Sequence, residues 1–150
     1  MFNPLNFISK FVKSSNQKEL DRIGKIVHQI NLLEENAKKL NAKYLLMEQF
    51  RLRNWEYIQE QILWFLDSVN KVYLSVDMDG FSSAFAPGVS APSPMGFSPQ
   101  IAFRVFELIA KSKKLIAMDV VELNPRFDQD QATARLAARC VEYVLRKNFE

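Results

Sequence analysis

Asp77 and Asp79 stand two residues apart in the short β-rich stretch 71–79, KVYLSVDMD, where Val72, Leu74, Val76 and Met78 alternate with Tyr73, Ser75, Asp77 and Asp79. Side chains alternate along a strand, so both carboxylates are expected on one side, roughly 6–7 Å apart. Two like charges so placed repel and resist desolvation; they need a cation, or one must be protonated. Hard carboxylate oxygens suit Mn²⁺ or Mg²⁺. Glu122 ends a second apolar stretch, 114–122, KLIAMDVVE. At the end of a neighbouring strand it would face the same crevice, the place where open α/β sheets bind ligands. A carboxylate held there off the metal suits a cationic amidinium or guanidinium, met by a two-pronged charge-assisted hydrogen bond. The plainer alternatives are a solvated strand end for the aspartates, and a surface or cap-partner carboxylate for Glu122.

Four helices and one loop are needed to position these groups. Residues 17–40 place Leu20, Ile23, Val27, Ile30, Leu33, Ala37 and Leu40 at three- and four-residue steps, a helix with a heptad-like stripe. Ser15 or Asn16 would cap it, with Glu19 and Asp21 in its first turn. A second helix is expected over 54–69, with Asn54 as cap and Trp55, Ile58, Ile62, Phe65, Leu66 and Val69 inward. Residues 80–99 hold three of the four glycines and four of the six prolines, which predicts a structured loop. Ser98-Pro99 then opens a helix to about Ser112, with Ile101, Val105, Leu108 and Ile109 inward. A last helix is expected over 129–147, with Ala132, Leu136, Cys140, Tyr143 and Val144 inward. Strand, loop, helix, strand, helix is a βαβα order, implying parallel strands in an α/β fold.

Composition excludes several classes. The chain has 150 residues, enough for one cored domain. No apolar run is long enough to span a membrane. The Phe-rich start, MFNPLNFISKFVKSSNQ, lacks the pattern of a signal peptide and is compatible with a short interfacial helix. The single cysteine, Cys140, fits a reducing, cytoplasmic compartment and reads as a small core residue. The net charge of +3 resides wholly in residues 1–42, too weak an excess for nucleic-acid binding. His28, the one histidine, reads as a helix-flank residue. The Trp55–Phe65 stripe reads as core, and Arg126, Arg135 and Arg139 as decoration of the last helix. Asp119 faces away from its strand neighbours and is assigned no role.

Ser75-Val76-Asp77-Met78-Asp79, followed by Ala86-Pro87-Gly88-Val89-Ser90-Ala91-Pro92, resembles the C-terminal signature of the ureohydrolases. Met118-Asp119-Val120-Val121-Glu122-Leu123-Asn124-Pro125 resembles their next signature strand, and 128–138 their closing helix. The likeness covers about residues 43–150. It implies part of a three-layer α/β/α arginase-like fold and a binuclear Mn²⁺ site that hydrolyses linear amidines. It makes Asp77 and Asp79 metal ligands and Glu122 the substrate-binding carboxylate. Many members have Asp-Pro where Ser82-Ser83 stands here. With Ser93-Pro94-Met95-Gly96, this is most similar to the formimidoylglutamase branch, which converts N-formimidoyl-L-glutamate and water to L-glutamate and formamide in histidine degradation.

The family's Gly-Gly-Asp-His and Asp-Ala-His-x-Asp motifs do not occur in the sequence. The expectation is therefore weak Mn²⁺ binding, no bridged metal pair and no turnover by this chain alone. Residues 1–42 are instead similar, over Lys18-Glu19-Leu20 to Leu33-Glu34, to the first helix of SecA, the motor ATPase of preprotein translocation, though no phosphate-binding GxxxxGK[ST] is present. Together the two likenesses imply a chimera joined near Asn41. The rival expectation is a non-catalytic fragment or helix-led interaction module. An unpaired sheet edge, or the N-terminal helix, would favour self-association.

Overall fold

The computed structural model describes residues 15–40 and 42–150, so the Phe-rich start lies outside the described residues. The chain divides into two units, Met1–Tyr44 and Leu45–Glu150.

The first unit holds helix α1, Ser15–Lys39. It starts two residues earlier than the apolar spacing predicts. Ser15 and Asn16 therefore lie inside it, and its first turn holds no acidic residue. Leu20, Ile23 and Val27 of the expected stripe are exposed, and Glu19 pairs with Arg22 one turn on at 2.7 Å.

The second unit is built on two parallel strands, β1 (Val72–Asp77) and β2 (Leu115–Val121). Helix α2 (Trp55–Ser68) precedes β1, α3 (Pro99–Lys111) makes the crossover, and α4 (Ala132–Phe149) ends the chain. The strands pair Tyr73 with Ala117, Ser75 with Asp119 and Asp77 with Val121. The register shifts between Val72 and Tyr73, leaving Ile116 unpaired and exposed.

Alternation along β1 is as expected. Val72 and Val76 are buried, whereas Tyr73, Ser75 and Asp77 are exposed. The main core joins Val76, Met78 and Phe81 to Ala102 and Phe106 of α3 and to Ala137, Cys140 and Val144 of α4. A smaller cluster joins Leu66 of α2 to Val72 and Ile109. All three helices thus pack on one face of the sheet. Each fully buried Ile, Val or Met in these clusters contributes about 1.5–3 kcal/mol. The opposite face carries Tyr73, Ser75 and Asp77. Parallel sheets ordinarily have both faces covered, so the unit amounts to two layers of an α/β/α sandwich.

Several local expectations need correction. The Asn54 side chain does not cap α2; it donates to the Gln49 carbonyl at 2.9 Å and closes the preceding turn. Phe65 is exposed, because the buried stripe of α2 narrows to Ile58 and Leu66. Ser98 has the backbone of a cap but makes no side-chain cap bond, so Pro99 at the first turn starts α3 by its fixed φ alone. Asp130 and Gln131 are left-handed, at φ 53° and 56°, and delay α4 to Ala132. Cys140 and Val144 face inward as expected, but the start of the buried face differs. Thr133, Ala137, Cys140 and Val144 are buried, while Ala132 is exposed and Leu136 and Tyr143 are half-buried.

A candidate metal and substrate rim

Asp77 is the last residue of β1, and Asp79 lies beyond it in a 3₁₀ turn, Met78–Gly80. Strand alternation therefore does not orient the pair, contrary to the sequence-based expectation. A local hydrogen bond brings the two residues together instead: the Asp79 backbone N–H donates to Asp77 Oδ1 at 2.8 Å. Asp77 so caps the turn with its own carboxylate. Met78, fully buried in the main core, anchors the turn from below.

The loop after the turn folds back upon it. A Cβ at Gly80 would lie 2.6 Å from the Phe97 ring, and one at Gly96 would lie 2.5 Å from the Phe81 carbonyl oxygen. Phe97 N–H donates to the Gly80 carbonyl at 3.0 Å, and Ser82 N–H to the Phe97 carbonyl at 2.9 Å. Arg51 holds the return from outside, donating to the carbonyls of Met95 at 3.0 Å and Gly96 at 3.4 Å. A cavity of ≈ 430 Å³ opens on that side, lined by Arg51, Ser82, Pro94, Met95 and Ser98 among others. None of Asp77, Asp79 or Glu122 lines it; the rim is an open edge.

Asp77 is exposed and Asp79 half-buried, with Asp79 Oδ1 closed off from solvent and without a hydrogen-bond partner. An orphaned carboxylate oxygen beside a second carboxylate is unfavourable unless something positive meets it. That pair suits a hard divalent cation. Among the described residues no group of three or more His, Cys, Asp or Glu is placed to hold a metal, so the fit is to two ligands of a larger set. His28 is exposed on α1, in the first unit.

Glu122 follows directly after β2, whose last residue pairs with Asp77. The Glu122 side chain therefore leaves the chain next to the same strand ends. It is exposed and left-handed, with φ 64°. For a glutamate such a backbone costs on the order of 1–3 kcal/mol and persists only where its surroundings impose it. They do: Leu123 bridges antiparallel to Val89, and Asn124 N–H donates to the Gly88 carbonyl at 2.8 Å.

Two clusters escaped the sequence reading. Asp119 accepts the Tyr73 hydroxyl across the strands through Oδ2, while its Oδ1 is buried without a hydrogen-bond partner. The Tyr73 hydroxyl, and next the neighbouring Ser75 side chain, hold the Asp119 carboxyl below its ordinary value, and Asp119 in turn raises Tyr73. Alternation places Tyr73, Ser75 and Asp77 on one face, but only the register adds Asp119 to it. The second cluster is Asp128 and Thr133 at the start of α4. Burial pushes Asp128 up, yet the bonds it accepts from the N–H groups of Thr133 (2.8 Å) and Ala134 (2.9 Å) outweigh this and hold it below the ordinary range. Cys140 is buried and its thiol is pushed up to about 11 by that burial, which suits a core residue and not a nucleophile.

Comparison with known proteins gives the family and the fold. The model of the arginase family matches residues 16–146, an interval that begins inside α1 and crosses Asn41. A formimidoylglutamase of Clostridium tetani is 40% identical over 117 residues, covering 77% of this chain and 35% of the relative. One of Rhodococcus opacus is 38% identical, covering 78% and 37%. The chain thus spans about a third of the length of the curated relatives it matches. Among solved structures, formimidoylglutamase from Bacillus subtilis superimposes with a TM-score of 0.69 at 28% identity, over 76% of this chain and 36% of that one. Arginase from Bacillus subtilis gives 0.68 at 27% identity, over 75% and 40%. With matching motifs, parallel-strand architecture and a family match over most of its length, the chain belongs to the arginase family.

Proposed function

We propose that the chain is the C-terminal portion of a cytoplasmic, manganese-dependent ureohydrolase acting on linear amidines, of the formimidoylglutamase type. Its reaction would be N-formimidoyl-L-glutamate plus water to L-glutamate and formamide, in histidine degradation. The observation that carries this reading is the Asp77–Asp79 turn, with its orphaned oxygen, level with the exposed, strained Glu122. Asp77 and Asp79 would hold Mn²⁺, and the bound metal supplies an activated water and a Lewis acid. Glu122 pairs with the amidinium and fixes the orientation of the amidine carbon. Asp77 also holds the Asp79 backbone, so the two ligands move as one unit.

The chain alone is not expected to turn over, because two carboxylates without imidazole partners hold Mn²⁺ weakly. A second reading, a non-catalytic fragment or helix-led interaction module, is favoured by the lack of a three-ligand group among the described residues. The exposed stripe of α1 and the likeness of residues 1–42 to SecA support the helix-led version. We also propose self-association through the sheet edge or α1; a monodisperse monomer in light scattering would count against it. Formamide release from N-formimidoyl-L-glutamate in excess Mn²⁺ separates the readings of activity. Turnover that Asp77→Ala abolishes would refute inactivity of the isolated chain. No release and no bound manganese would leave the second reading.

A further inference from the structure

Thr133 is the one buried polar residue among those described, at 0% exposure. Its hydroxyl accepts the Gly88 N–H at 2.7 Å, a contact between residues 45 apart in sequence. The Asp128 carboxylate accepts the Thr133 N–H at 2.8 Å and the Ala134 N–H at 2.9 Å, holding Thr133 at the start of the helix. Gly88 lies so close that a Cβ there would stand 2.5 Å from the Asp128 Cα, so backbone meets backbone directly. On its other side the Gly88 carbonyl accepts Asn124 N–H at 2.8 Å. Val89 bridges Leu123, and Ser90 Oγ meets Asn124 Nδ2 at 3.2 Å. The segment 88–90 is therefore clamped between the start of α4 and the residues just after Glu122.

We infer that Thr133 is a positioning residue for Glu122: by fixing Gly88 it fixes Leu123 and Asn124, and so imposes the left-handed backbone that aims the substrate-binding carboxylate. This rests on the amidine reading for the identity of the ligand, while the clamp itself can be read independently. A mere core role would predict an even loss of stability on removing the hydroxyl. A positioning role predicts a local change 11 residues away in sequence, on the far side of the loop.

The test uses the full ¹⁵N-labelled chain as wild type, Thr133→Val and Thr133→Ser, with formamidinium chloride as probe. In Thr133→Val the amides of Glu122, Leu123 and Asn124 should shift, and hydrogen exchange at Asn124 should quicken about five- to tenfold relative to the α3 core, the effect of one lost hydrogen bond. Thr133→Ser should restore both. Ser90→Ala, an exposed and milder change, should shift the same three amides even if Thr133→Val fails to fold. Formamidinium-induced shifts at Glu122 should shrink in Thr133→Val and return in Thr133→Ser. Unmoved Glu122–Asn124 amides in Thr133→Val or in Ser90→Ala would overturn the inference, as would Thr133→Ser behaving like the valine variant. If wild type shows no formamidinium shift while the exchange pattern holds, the clamp stands and the amidine reading fails.

Discussion

Replacing Asp79 by asparagine should make the metal-free chain more stable and the manganese-loaded chain no more stable than wild type. Asp79 Oδ1 is buried without a partner, beside the Asp77 carboxylate that its own N–H contacts. An unsatisfied buried acceptor costs about 1–3 kcal/mol. The low end applies, because Asp79 as a whole is only half-buried. Asparagine keeps the shape, removes the charge and presents an N–H₂ donor that can meet the neighbouring Asp77 carboxylate where the Asp79 oxygen cannot; this should recover about 1 kcal/mol, a rise of roughly 3–6 °C in Tm for a unit of this size. Divalent manganese reverses the comparison. At a free concentration ten times its Kd, a ligand of the folded state adds about 1.4 kcal/mol. Wild type gains this and Asp79→Asn does not. The assay is thermal unfolding at neutral pH, with chelator and then with Mn²⁺. A metal-free Asp79→Asn variant that melts at or below wild type would refute the reasoning that this carboxylate is strained without a cation. An equal response of both proteins to Mn²⁺ would refute its role as a ligand.

Gly88→Ala should cost about 1–3 kcal/mol in urea unfolding, since the added methyl meets Asp128 backbone that cannot swing aside. Asp128 and Asp119 both titrate below the ordinary carboxylate value of about 3.9 in the folded chain. Their contribution is therefore fully present above that value and lost as pH falls through the depressed folded ones. Asp128→Asn should accordingly flatten the fall in Tm below about pH 4. Cys140 should resist iodoacetamide at pH 8 in the folded chain and react once urea unfolds it, because burial pushes its thiol to about 11.

How far the sequence discloses this site depends on the range of the interaction involved. The inward bias of Val72, Leu74 and Val76 is a pattern of the strand itself, and it reads directly from residue type. The Gly- and Pro-rich stretch announces a loop for the same reason. Asp79 is different. β1 stops at Asp77 because the Asp77 side chain captures the next turn, and a period count does not see a side chain competing with the backbone. The end of the loop is similarly displaced: with left-handed Asp130 and Gln131 ahead of α4, Thr133 is inward where Ala132 was expected. Thr133 and Gly88 meet only in the folded chain, and so do Tyr73 and Asp119. The resemblance points to Asp77, Asp79 and Glu122. The two aspartates are held by a local bond between residues two apart, whereas the contacts that fix the chain around Glu122 are tertiary, and residue spacing carries no signal for those.

The most direct test of the rim is manganese binding by the chain itself, followed through loss of the free Mn²⁺ signal in electron paramagnetic resonance. Weak, saturable binding is expected for wild type, abolished by Asp77→Ala and by Asp79→Ala and kept by Glu122→Gln, which the proposed function assigns to substrate and not to metal. Binding untouched by either aspartate substitution, or no binding at all to the wild-type chain, would contradict the assignment of Asp77 and Asp79 as metal ligands.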